Sequence, residues 1–127
     1  MTSRKNSGKK NILSRLKKER GYLPAEWAYL AERDPEFMDA YNGLYEKAMT
    51  DGKALSAKTK ELITIGLLAY RGFEQGVLNH AKRALRLGAT MEELVEAVET
   101  VIIAGGSPAL RTGLMGLMMM EEEQKEK

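Results

Sequence analysis

Acid–base chemistry has few places to live in this chain. His80 is the only histidine among 127 residues, and Glu61 is an acid set into a strongly apolar stretch. An imidazole titrates near neutrality, and a carboxylate beside it can orient the ring or share its proton. The sequence holds no cysteine, which removes disulfides, thiolate nucleophiles and cysteine-ligated metals together. A single histidine without carboxylates clustered at ligand spacing supports no metal site. No glycine-rich phosphate loop follows a strand, because no strand pattern is present. The expectation is chemistry by side chains alone, with no cofactor.

The elements that must position these two residues lie between Leu55 and Gly88. Ser56 is the expected N-cap of a helix running to about Arg71, with Thr59 where a full capping box would have an acid. Leu62, Ile63, Ile65, Leu67, Leu68 and Ala69 cover nearly its whole circumference, the pattern of a helix buried on several sides. Gly72 and Gly76 break or bend the chain, and Gly88 is a natural left-handed cap for the next helix. On that second helix Val77, Leu78, Ala81, Ala84 and Leu85 form the apolar stripe, Lys82, Arg83 and Arg86 lie opposite, and His80 falls at the stripe's edge. Glu61 shares a face with Ile65 and Leu68, so it needs a partner. Two readings stand. Glu61 pairs with His80 in a pocket, or it sits in a first helical turn near the positive end of the macrodipole, with an arginine as its ion-pair partner.

The rest of the chain is helical by the same criteria. Ile12, Leu13 and Leu16 suggest a short turn of helix, and Trp27, Leu30 and Ala31 a second element that pins Trp27 to a core. Asp34-Pro35 is a cap followed by a first helical position. Thr90-Met91-Glu92-Glu93 is a complete capping box. Gly105-Gly106 stops that helix, and Ser107-Pro108 opens the last, which runs into the acidic end. The expectation is an all-α bundle of about five or six helices. It divides into a basic leader at residues 1–20, one domain at 21–120 and an acidic tail at 121–127.

The formal net charge of +2 conceals a leader of eight Lys/Arg against one Glu, with the remaining residues net acidic. Without aromatic residues for base stacking, the leader reads as a solvated tail rather than a nucleic-acid arm. No apolar run reaches the roughly 18–20 residues of a membrane span, and no apolar segment follows the basic start as in a secretory signal. A cytoplasmic protein is the economical reading. A central helix this apolar, with Gly113, Gly116 and the Met118–Met120 run on the last helix, favours a homo-oligomer.

The order and spacing of Lys58-Thr59-Lys60-Glu61-Leu62-Ile63, His80, Leu87-Gly88-Ala89-Thr90 with Glu92-Glu93, and Gly106-Ser107-Pro108-Ala109 resemble the carboxymuconolactone decarboxylase family. That family also includes the AhpD-like alkylhydroperoxidases, and the likeness covers roughly residues 35–118. It implies small all-helical subunits assembled as trimers or hexamers. The family's peroxidase branch carries Cys-x-x-Cys followed after three residues by His. Here those positions hold Phe73 and Gly76, so neither the attacking nor the resolving thiol exists. The decarboxylase branch uses neither cysteine nor cofactor and acts on a lactone bearing carboxylates. The resemblance therefore implies a cofactor-free lyase for a small anionic lactone or carbonyl compound, with Glu61 and His80 as catalytic residues. Chemistry of that kind also calls for cations and a hydrogen-bond donor. Arg71 and Arg111, with Tyr70, are the candidates for substrate contacts. The alternative is a non-catalytic ligand-binding or scaffold oligomer of the same fold.

Overall fold

The structure, a computed structural model, describes residues 12–18, 21 and 23–126. The expected basic leader therefore lies mostly outside the described residues. Those residues form seven helices and no strand, in two compact units, Met1–Met49 and Thr50–Lys127.

In the first unit, α1 spans residues 12–18, α2 spans Ala25–Arg33 and α3 spans Pro35–Met49. The Asp34 carboxylate accepts the Phe37 backbone N–H at 3.1 Å, so the cap expected from Asp34-Pro35 forms. Ile12, Leu16, Ala31 and Met38 make the small core of this unit. Trp27 stacks on Tyr41 with ring centroids 5.0 Å apart. Arg15 bridges Asp39 at 2.7 Å and Glu46 at 3.1 Å.

The second unit contains α4 (Ala57–Tyr70), α5 (Glu74–Arg86), α6 (Met91–Thr100) and α7 (Ile102–Lys125). Ser56 caps α4 by accepting the Thr59 N–H, and Thr90 with Glu93 closes the full capping box at α6. Gly72 and Gly88 take positive φ (76° and 97°), which lets the chain turn sharply after α4 and after α5. The helical break expected at Gly105-Gly106 is found in two parts. The chain turns at Val101, and a left-handed Gly106 (φ 71°) kinks α7 just before Pro108.

Ile65 and Ala69 of α4, Val77, Leu78, Ala81 and Ala84 of α5, Leu94 and Val98 of α6, and Ala109, Leu117 and Met120 of α7 fill one core. Gly113 and Gly116 are buried inside it. A Cβ on either would run into Val98 or Val77, so both glycines exist to bring α7 close to α6 and α5. They do not form the small-residue outer surface that the sequence suggested. The methionine run divides: Met120 is fully buried, while Met118 and Met119 face outward. The circumference of α4 divides too, since Ile63, Leu67 and Tyr70, at i, i+4 and i+7, are 50–60% exposed. An apolar helix buried on one side and bare on the other is the result.

Candidate functional site

Glu61 occupies a core position. The buried residues of α4 are Ala57, Glu61, Ile65 and Ala69, a stripe of period four in which the carboxylate takes the place of an apolar side chain. It is the fifth residue of α4, beyond the first turn, and no part of it is exposed. The reading that placed it in a first turn at the helix dipole is therefore corrected, while the arginine that reading invoked is present.

Two side chains of α5 meet this carboxylate. The Nδ1 of His80 lies 2.6 Å from Oε2 of Glu61, and an N–H of the Arg83 guanidinium donates to Oε1. His80 and Arg83 stand three residues apart, so α5 presents both along one edge. A buried carboxylate without such donors would be strongly unfavourable, and an arginine supplies a permanent positive charge with donors only. Arg83 is 5% exposed. The helical wheel assigned it to the polar side of α5, and the structure corrects this, because the ion pair draws the long side chain under the helix edge. The signals that could have found it were its spacing from His80 and the need of Glu61 for a cation.

His80 is the member of the trio that reaches the surface, with 18% of its side chain exposed. Its second ring nitrogen, Nε2, makes no hydrogen bond to another described residue. The arrangement is a buried carboxylate, Glu61, holding one edge of a partly exposed imidazole whose Nε2 is bonded to no other described residue.

The other sequence candidates lie elsewhere. The ring of Tyr70 packs beside Gly105 and lines an open apolar groove of about 600 Å³ with Ile63, Leu67, Glu96, Ala97 and Val101. That groove includes neither Glu61 nor His80. Arg71 follows the end of α4 and Arg111 lies on α7; both are exposed. None of Tyr70, Arg71 and Arg111 is bonded to Glu61 or His80. The structure thus brings two of the five candidates together and adds Arg83. Among the described residues no group of three His, Cys, Asp or Glu side chains could hold a metal ion, and no helix is long and apolar enough to cross a membrane.

At the positions where thiols would precede the histidine, Phe73 stands at the N-cap of α5 and Gly76 is buried beneath its ring. A thiol relay has no counterpart here.

Comparison with known proteins agrees with this picture. An uncharacterized protein of Cupriavidus necator is 37% identical over 83 residues, covering 65% of this chain and 73% of its own. An uncharacterized protein of Methanocaldococcus jannaschii is 28% identical over 104 residues, covering 81% of this chain and 96% of its own. Among solved structures, a carboxymuconolactone decarboxylase candidate from Burkholderia xenovorans LB400 superposes with a TM-score of 0.76 at 28% identity, covering 97% of this chain and 98% of that one. A carboxymuconolactone decarboxylase family protein from Legionella pneumophila, solved in its apo form, gives 0.71 at 29% identity, over 90% and 95% of the two chains. The profile of the Carboxymuconolactone decarboxylase family matches residues 35–115, a span that takes in α3 to α6, most of α7 and all three members of the Glu61–His80–Arg83 cluster. The chain belongs to the carboxymuconolactone decarboxylase family.

Proposed function

We propose that this protein is a cofactor-free lyase that acts by acid–base chemistry on a small anionic lactone or carbonyl compound. One observation carries the reading: a fully buried Glu61 grips Nδ1 of His80 at 2.6 Å, and the histidine side chain itself is partly exposed. In such a reaction the bond to the departing carboxylate breaks, CO₂ leaves, and the electron pair passes into the conjugated carbonyl as a dienolate. A proton delivered through His80 to carbon completes the balance, and Glu61 holds the ring in register. Arg71 and Arg111 are proposed on charge alone as contacts for substrate carboxylates, and Tyr70 as a hydrogen-bond donor. The test is CO₂ release from carboxylated lactones by the purified protein. His80→Ala should abolish turnover while leaving the helical fold intact, and unchanged turnover would reject the assignment.

A second reading is favoured by the groove that Tyr70 lines, because it is an apolar concavity whose lining does not include the Glu61–His80 pair. The protein would then bind a small ligand without converting it. A compound that raises the melting temperature and is recovered unchanged, with no lactone consumed, would favour this reading over the lyase.

We further propose that the protein works as a homo-oligomer, a trimer or hexamer. The bare face of α4, Ile63 with Leu67 and Tyr70, supports this, since contiguous exposed apolar side chains are unusual on a monomer.

A further inference from the structure

We propose that Arg83 is a positioning residue that holds the Glu61 side chain with an accepting atom toward His80, so that Nδ1 of the ring carries the proton. The proposal rests on the reading of Glu61 and His80 as the reacting site. The Arg83 guanidinium has no lone pair to offer, so whatever atom of residue 61 it touches must accept. It touches Oε1 of Glu61, and the other carboxylate oxygen, Oε2, is the atom that faces Nδ1 of His80. A carboxylate accepts at both oxygens. Oε2 therefore takes the Nδ1–H, and the neutral ring carries its lone pair on Nε2, the edge that Glu61 does not hold.

Burial gives this arrangement its force. Glu61 is fully enclosed and Arg83 nearly so, which leaves no water to replace a lost partner at low cost. The carboxylate is held from two sides and cannot turn without breaking the Arg83 bond. The ring orientation is thus fixed by a residue that does not touch the ring. With the ring neutral Nε2 is a proton acceptor, and it becomes a donor once the ring has taken up a proton.

The chain offers an unusually clean test, because its single histidine gives one imidazole signal set. Two-bond ¹H–¹⁵N correlation spectra of the full-length protein, recorded where the ring is neutral, report the tautomer directly. The unmodified protein should show the Nδ1–H form, and the Nε2–H form there would overturn the proposal without any substitution. Glu61→Gln supplies the decisive arm. An amide has one accepting oxygen and one donating nitrogen. If Arg83 claims the oxygen, the –NH₂ must face Nδ1, and the ring proton moves to Nε2.

In the double variant Glu61→Gln/Arg83→Met the amide is free to turn either way, and the Nδ1–H form should reappear as part of the population. Glu61→Gln/Arg83→Lys keeps a charged donor and should stay with the Nε2–H form. Retention of Nδ1–H in Glu61→Gln, or identical spectra for Glu61→Gln and its Arg83→Met partner, would overturn the role of Arg83. The readout needs no substrate. The predicted tautomers in a protein that consumes no lactone would uphold the role of Arg83 and reject the lyase.

Discussion

The ring of Phe73 lies against Gly76, so close that a Cβ built on the glycine would stand 2.7 Å from the ring's Cδ1. These are the two positions where the peroxidase branch of the family keeps its thiols. Here they form a matched pair in which an aromatic ring fills the space that a side chain at 76 would need. Gly76→Ala should therefore destabilise the protein by about 1 kcal/mol, the low end of overpacking, because the half-exposed ring can swing partly aside. Combined with Phe73→Ala, the same glycine substitution should cost less, because the close contact that remains is Leu68 Cδ1, 3.0 Å from the built Cβ. Urea unfolding of the four-member cycle checks the coupling, and additive effects would show that the ring is not the obstacle.

Gly116 makes a harder contact. Its neighbour is the stiff, fully buried Val77, together with the backbone carbonyl of Glu74 at 3.0 Å from a built Cβ. Neither can move aside as an exposed ring can. Gly116→Ala should lose about 1–3 kcal/mol in spite of alanine's better helix propensity. A melting temperature equal to or above that of the unmodified protein would contradict this.

The Glu61–Arg83 pair should behave as a unit. Removing one partner, as in Arg83→Met, leaves a buried carboxylate with His80 as its remaining partner among the described residues and should cost up to about 3–5 kcal/mol. Replacing both, as in Glu61→Leu/Arg83→Met, should recover most of that loss while removing any activity that depends on the held imidazole. Equilibrium unfolding beside a lactone assay separates the two outcomes, and a double variant no more stable than Arg83→Met would count against the pairing.

Glu93 gives a pH dependence of known sign. The Thr90 backbone N–H at the capping box, followed by the Lys58 ammonium, holds its carboxyl below the usual carboxylate range. A carboxylate with a depressed folded-state pKa adds stability at pH values above its unfolded value near 4.5, and that stability is lost as pH falls through the folded value. Glu93→Gln keeps a capping side chain but cannot titrate. Its melting temperature should fall less than that of the parent across that acidic window, and parallel curves would exclude Glu93 as a contributor.

The bare face of α4 predicts an association surface. Leu67 is 60% exposed on a helix otherwise anchored in the core. Leu67→Glu should leave helicity unchanged and reduce the mass measured by light scattering to that of a smaller species. An unmodified protein that already runs as a monomer would refute the proposed oligomer.

Much of the fold was legible because its signals are local. Ser56, Thr90 with Glu93, Asp34-Pro35 and the turn glycines announce helix ends by chemistry that acts within three or four residues. The absence of cysteine by itself settles the loss of thiol chemistry. Helical period alone likewise placed Glu61 on an apolar face and His80 at the edge of one.

What the sequence could not decide was which residues from different helices meet. Arg83 looks like a solvent-facing cation on an isolated α5, and is buried where α4 delivers a carboxylate to its tip. Gly113 and Gly116 look like a surface, and are the clearance that lets α7 touch Val98 and Val77. Tyr70, Arg71 and Arg111 are near the motif along the chain but not bonded to the pair. Sequence carries period and capping, which are properties of one helix. Long-range pairing depends on the register between helices, and that is fixed only when the whole core packs. In this protein that register determines which edge of His80 is free.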